Sequence, residues 1–251
     1  MFEISFIPAF KDNYIWLLTR GTQACVVDPG DAAPVIARLD ADGLQLVQIL
    51  VTHHHADHQG GIGELTARYA PSVYAPASES ITGRTQPLVG GERIDVLGVH
   101  MDVLAVPGHT LGHLAYVGQD SLFCGDTLFG AGCGRLFEGT PAQMHASLQQ
   151  IAALPDETRV YCAHEYTQMN LGFANAVEPE NPALRERIAR VAAQRAQGLP
   201  SVPSRLGEEK ATNPFLRCDQ PAIIAAALAK GAVNASPIAV FTAIRRWRND
   251  F

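Results

Sequence analysis

The chain has no Cys-x-x-Cys pair, no apolar run approaching a membrane span, no internal repeat and no low-complexity tract. It is also short of basic charge, with 19 Lys and Arg against 25 Asp and Glu and a net charge of -6. That balance leaves no electrostatic footprint for nucleic acid, and the missing apolar run excludes a spanning helix. The five cysteines, Cys25, Cys124, Cys133, Cys162 and Cys218, are odd in number and scattered. A disulfide framework is therefore not expected, and a reducing, cytoplasmic location is. Met1-Phe2-Glu3-Ile4-Ser5 has no basic segment followed by an apolar one, so no signal peptide is expected. What remains is an ordinary globular composition, 47% hydrophobic and 18% charged over 251 residues. That is enough chain for one large domain or a domain with an appendage.

What the chain does have is Thr52-His53-His54-His55-Ala56-Asp57-His58, directly after the mostly apolar run Leu46 to Val51. Such a run reads as a buried strand. A strand end is a rigid platform, and the loop beyond it can fold side chains back onto one point. Imidazole and carboxylate are groups that zinc and similar divalent metals accept. Gly60-Gly61 lets the chain turn away into a helix near Ile62 to Ala70.

Strands are expected at Phe2 to Ile7, Tyr14 to Thr19, Gln23 to Val27, Ser72 to Tyr74, Val99 to Val106, Leu114 to Val117, Ser121 to Cys124 and Arg159 to Cys162. Helices are expected at Ala32 to Leu39 and at Pro141 to Leu154, the latter capped by Thr140. After about residue 170 the pattern becomes helical, with Asn181-Pro182 opening one helix and others over Pro221 to Lys230 and Pro237 to Trp247. The expected organisation is a mixed α/β domain over 1–170 and a helical appendage over 171–251.

The sequence places further ligand-type residues just beyond strand-like runs. His109 follows Val106-Pro107-Gly108, Asp126 follows Cys124-Gly125, and His164 follows Cys162-Ala163. A polar surface loop that happened to be rich in histidine would need no such partners. The set His53, His55, Asp57, His58, His109, Asp126 and His164 exceeds the needs of one catalytic metal, which takes about three protein ligands. It suits two metals sharing a carboxylate, and hence a hydrolytic site.

The Thr-His-x-His-x-Asp-His pattern resembles the metallo-β-lactamase superfamily, whose fold is an αββα sandwich. More narrowly, the chain resembles the hydroxyacylglutathione hydrolase (glyoxalase II) family. That resemblance rests on Asp12-Asn13-Tyr14-Ile15-Trp16, Pro107-Gly108-His109-Thr110-x-Gly112-His113, Gly132-Cys133-Gly134-Arg135, Phe137-Glu138-Gly139-Thr140, His164-Glu165-Tyr166-Thr167, Gly207-Glu208-Glu209-Lys210 and Asn213-Pro214-Phe215-Leu216-Arg217. It implies an α+β fold: the sandwich followed by a C-terminal helical domain that binds substrate.

The resemblance also implies that His53, His55 and His109 hold one metal, that Asp57, His58 and His164 hold the other, and that Asp126 bridges. Asp57 and Asp126 would be the carboxylates of the reacting centre. Zinc is expected, with iron and manganese compatible with the same ligands. His54 fills the variable position, and His113 is given a supporting or packing role. Asp28 reads equally as a turn residue or as an acceptor behind a ligand histidine.

The implied reaction is hydrolysis of S-D-lactoylglutathione and related 2-hydroxyacylglutathiones by hydroxide held between the metals, the second step of methylglyoxal detoxification. Contacts to glutathione are implied for Arg135, Tyr166, Arg245 and Arg248. Phe137 stands where some relatives carry a tyrosine that touches glutathione. A monomer is expected, with no nucleic-acid or membrane partner.

The rivals on this scaffold are a lactamase, a lactonase, another thioesterase, a nuclease, or a persulfide dioxygenase using one iron. The Arg135 loop and the helical C-terminus weigh against them. A non-catalytic metal-storage protein fits the compact ligand set poorly.

Overall fold

Branched apolar residues crowd the first 105 positions in runs of five to eight. In the computed structural model, which describes residues 1–251, those runs are strands. The chain divides into two units, one of residues 1–105 and 112–125, the other of 106–111 and 126–251.

The first unit opens with β1 (Glu3–Ala9), β2 (Asn13–Arg20), β3 (Gln23–Val27), α1 (Ala32–Asp42) and β4 (Gln45–Leu50). It continues with α2 (Ala56–Gln59), α3 (Ile62–Tyr69), β5 (Ser72–Pro76) and β6 (Gln86–Leu88). These six strands form one sheet in chain order. The pairs β1–β2 and β2–β3 are antiparallel; β3–β4, β4–β5 and β5–β6 are parallel. Six consecutive residues of β2, Asn13 to Leu18, are buried, so both faces of this sheet are covered. On one face Leu17, Val26 and Ile49 pack with Val35 and Leu39 of α1 and Leu65 of α3. Each such side chain contributes about 1.5–3 kcal/mol on burial.

A second sheet in the same unit is the antiparallel meander β7 (Arg93–Val96), β8 (Val99–Ala105), β9 (Leu114–Gly118) and β10 (Ser121–Gly125). Tyr116 on β9 donates its hydroxyl to the Val51 carbonyl at 2.7 Å. That bond ties the second sheet to the chain just past β4, where the histidine segment begins.

The second unit contains the short hairpin β11 (Leu128–Phe129) and β12 (Gly132–Cys133), then α4 (Pro141–Ala152), β13 (Arg159–Cys162), α5 (Thr167–Val177) and α6 (Pro182–Ala196). It ends with β14 (Ser204–Arg205), α7 (Leu206–Thr212), a 3₁₀ turn at Pro214–Leu216, α8 (Pro221–Ala229) and α9 (Pro237–Asp250). Thr140 caps α4 through a reciprocal pair with Gln143, and Asn181 accepts from Leu184 N at the start of α6. Proline stands in the first turn of α4, α6, α8 and α9, where its missing N–H has no intrahelical partner to lose. The core of this unit includes Leu171 and Ala174 of α5 against Leu184 and Val191 of α6, and a chain of rings from Phe173 through Phe215 to Phe241.

All five cysteines are free and buried. Burial pushes the Cys162 thiol up to about 12 and raises those of Cys25, Cys133 and Cys218. Neutral thiols make poor metal ligands.

Candidate metal centre

In the first unit the histidine segment leaves the end of β4 beside the end of β3, its parallel neighbour. Asp28, just past β3, adopts φ 53° and acts as an acceptor for that segment. Its Oδ1 accepts from Thr52 N at 2.7 Å, and its Oδ2 accepts from Thr52 Oγ1 at 2.7 Å. The same Oδ2 takes His58 Nδ1 at 3.0 Å. His58 thus donates from Nδ1 and leaves Nε2 for a ligand role, the usual way a carboxylate fixes the tautomer of a metal-binding histidine. Of the two readings open for Asp28, the acceptor role is the one seen.

The loop expected beyond the Leu46 to Val51 strand contains a single helical turn, α2, too short to show in hydrophobic periodicity. It brings Asp57 Oδ2 to 3.5 Å from His58 Nε2. Asn13 at the start of β2 donates its amide to the same Asp57 oxygen at 3.0 Å. Gly30 permits the close approach of this turn: a Cβ there would lie 1.9 Å from the Asp57 carbonyl oxygen. His53 Nε2 lies 3.0 Å from His55 Nδ1, and the His113 ring stacks on His53 at 4.6 Å. His113 is fully buried, which fits the packing role expected of it. His54 is half-buried, its ring edge-on to His55.

The second unit assembles the other three ligand-type residues. Gly108 adopts φ 155°, and a Cβ there would meet the Met144 Cβ at 2.7 Å; only glycine allows this exit toward His109. His109 Nδ1 donates to the Arg135 carbonyl at 2.7 Å, again freeing Nε2. His109 Nε2 then stands 3.4 Å from Asp126 Oδ2, and His164 Nε2 stands 3.4 Å from Asp126 Oδ1. One carboxylate therefore offers each of its oxygens to a different imidazole.

These separations test whether a metal fits. Ligand atoms at ~2.1 Å from a tetrahedral ion lie ~3.4 Å from each other. The Asp126 contacts at 3.4 Å, and the Asp57–His58 contact at 3.5 Å, match that edge. Imidazole and carboxylate donors without a thiolate suit zinc, iron or manganese. Each unit thus contributes imidazole and carboxylate side chains of the kind a metal accepts.

Beside this cluster, within the second unit, lies a cavity of about 300 Å³ lined by Phe129, Cys133, Arg135, Tyr166, Arg245 and Arg248 among others. Tyr166 stacks flat on His164, ring centroids 4.6 Å apart at 4°. Arg245 donates to the Cys133 carbonyl at 2.9 Å and to Asn249 Oδ1 at 2.9 Å. Arg248 donates to Asn170 Oδ1 at 3.3 Å. Burial, and then the neighbouring Arg245 charge, lower the pKa of Arg248. Two guanidinium groups share a wall whose contacts are carbonyl and amide oxygens, so the wall favours an anion. The cavity thus gathers four of the five residues expected to meet substrate. Phe137 is not in its lining; it is 60% exposed, and its ring meets His109 edge-on at 5.2 Å.

Sequence reasoning gave no individual role to Asn13, Asn170, Glu209 or Asn213. Asn13, Glu209 and Asn213 lay inside motifs already noted for the family resemblance, and that was the only available signal.

A family model described as the metallo-beta-lactamase superfamily matches residues 10–164, and one described as the hydroxyacylglutathione hydrolase C-terminus matches residues 165–251. A relative from Dechloromonas aromatica (strain RCB), "Hydroxyacylglutathione hydrolase", is 66% identical over all of this chain and all of its own. The chain belongs to the hydroxyacylglutathione hydrolase family. A second relative of that name, from Methylobacillus flagellatus, is 58% identical over the full length of both chains. Among solved structures, TTHA1623 in a di-iron-bound form is 26% identical with a TM-score of 0.60, the match covering 84% of this chain and 98% of that one. The α+β metallo-β-lactamase fold with a helical C-terminal region is therefore the fold of this hydroxyacylglutathione hydrolase family member, as its sequence motifs led one to expect.

Proposed function

We propose that the chain hydrolyses thioesters of glutathione with 2-hydroxy acids, S-D-lactoylglutathione first among them, to glutathione and the free acid. The observation that carries this reading is the cationic cavity of Arg135, Arg245 and Arg248 in the same unit as the Asp126 carboxylate flanked by two imidazoles. Residues 1–170 form the metal-binding catalytic part and residues 171–251 the helical substrate-binding part.

His53, His55 and His109 would hold one divalent ion, Asp57, His58 and His164 a second, with Asp126 shared and zinc the ion expected. When bound, such ions lower the pKa of water from 15.7 to about 7 and polarise a carbonyl. The chain's own residues hold this arrangement in place. Asp28 keeps the His58 Nδ1 proton and the Arg135 carbonyl keeps that of His109, so each imidazole turns Nε2 inward. Asn13 steadies Asp57, and the Tyr166 ring fixes the plane of His164.

The leaving thiolate has a parent pKa of roughly 8.5 and needs little help from an acid. Glu165, next to His164, is engaged with Ser201 and Arg195 instead. The carboxylates of the glutathione moiety are received by the arginines of the cavity. No helix of the chain is long and apolar enough to cross a membrane. A cytoplasmic monomer is the state expected of it.

Arg248→Ala is expected to raise KM for S-D-lactoylglutathione roughly tenfold with kcat within about twofold, the signature of lost binding remote from the reacting atoms. A large fall in kcat at unchanged KM would place Arg248 at the reacting centre and refute the assignment.

A further inference from the structure

The β11–β12 hairpin has two residues in each strand, too little to hold its own shape in water. Yet it forms a wall of the cationic cavity. The Phe129 ring lies edge-on to Tyr166 at 5.3 Å, and the Cys133 carbonyl is the acceptor that holds Arg245. Arg135 follows two residues later. The turn of the hairpin contains Ala131 at φ 55°, a conformation that side chains with a Cβ rarely adopt. Something outside the hairpin must therefore fix it.

A buried polar cluster from α6, α7 and the residue after α7 does so. Glu209 Oε2 accepts from Ala131 N at 2.8 Å. The Asn213 amide donates to the Gly132 carbonyl at 2.9 Å, to the Phe129 carbonyl at 3.3 Å and to Glu209 Oε2 at 3.2 Å. Behind them Arg187 grips Glu209 Oε1 at 2.5 Å and Thr212 Oγ1 at 2.7 Å. Glu209 and Asn213 are 0% exposed and Arg187 is 1% exposed. None of the three lines the cavity, but Glu209 and Asn213 bond to the backbone of Phe129, Ala131 and Gly132 in the hairpin that does, and Arg187 holds Glu209.

We propose that Asn213 and Glu209 are positioning residues for the glutathione moiety: they clamp the β11–β12 hairpin so that Arg135 and the Cys133-held Arg245 present a preformed anion site. This rests on the glutathione reading given above. Preorganisation of this kind lowers the cost of binding rather than the barrier of the chemical step. The clamp thus separates affinity from turnover, because the ligand-type residues Asp126, His109 and His164 are not among its hydrogen-bond partners.

The test compares wild type, Asn213→Ala and Glu209→Gln in the full-length metal-loaded protein. Calorimetry gives the Kd for glutathione, steady-state kinetics on S-D-lactoylglutathione give KM and kcat, and metal content is determined on each sample. Both Kd and KM should rise about tenfold in the variants, with kcat within threefold of wild type and metal content unchanged. A folded variant with unchanged Kd and KM overturns the proposal. So does a loss of kcat and metal at constant Kd, and so does failure of both variants to fold, each of which assigns the cluster to the scaffold alone. If wild type binds glutathione without turning over the thioester, the reaction assignment fails while the Kd comparison still decides the clamp. If wild type does not bind glutathione, both fall.

Discussion

Asp126→Ala is expected to lose metal and activity together, with kcat/KM down by more than about a hundredfold. The magnitude has a floor: outer partners of metal ligands are worth about 10–100-fold in affinity or activity, and Asp126 sits further in. Its two oxygens stand 3.4 Å from His109 Nε2 and 3.4 Å from His164 Nε2. Alanine removes a donor from both sides at once and leaves two imidazoles facing an uncompensated cavity. Asp126→Asn keeps the shape but exchanges one charged oxygen for an amide nitrogen, so it should retain less than half of the metal while folding normally. Metal analysis beside the assay checks both variants. Full activity with normal metal content in Asp126→Ala would end the bridging role.

The second large effect is on stability. Arg187→Ala is expected to cost about 3–5 kcal/mol, the range for stripping one partner from a buried ion pair. Arg187 and Glu209 are nearly inaccessible, and their 2.5 Å contact joins α6 to α7. Burial acts to lower the pKa of Arg187, but the charge and hydrogen bond of Glu209 raise it, so the guanidinium stays protonated. Without it the Glu209 carboxylate is left buried and uncompensated. At about 2–4 °C per kcal/mol for a chain of this size, thermal denaturation should fall by on the order of 10 °C. The exposed Arg38–Asp42 pair on α1 is the control. Breaking it should change stability by no more than about 0.5 kcal/mol. Equal, small effects at both sites would show that burial confers no special weight on the Arg187 pair.

Much of the architecture was legible because burial on both sheet faces requires continuous apolar runs. The strands β2, β3, β4, β9, β10 and β13 were visible as such runs, and β8 as an alternating one. The capped helix α4 announced itself through Thr140, Pro141 and the apolar spacing that follows. The structure also differs from the sequence reading in specific places. The one-turn helix α2 and the two-residue strands β11 and β12 are shorter than any period that could reveal them. Helix α5 carries Asn170, Gly172 and Asn175 and has no side-chain cap, so its propensity is weak; it is held by packing of Leu171, Phe173 and Ala174. His145, which has no special sequence context, is half-buried against the Phe241 ring.

Around the site, the ligand-type residues were visible because each follows a strand-like run. Their supports were not. Asn13 reaches Asp57 across 44 positions, and Arg187 reaches Glu209 across 22. Pairings at that range follow from topology, and nothing in the local pattern of either residue records them. Asp28 marks the boundary between the two cases. Its neighbours said only that the chain turns, and the parallel pairing of β3 with β4 is what sets it against Thr52 and His58.

The most direct test of the central claim is hydrolysis of S-D-lactoylglutathione by the metal-loaded protein, with metal content measured on the same sample. Steady turnover with two ions per chain is the predicted result. No turnover with both ions present would contradict it and point to lactones or other thioesters, and one iron per chain would point to oxidative chemistry on the same scaffold.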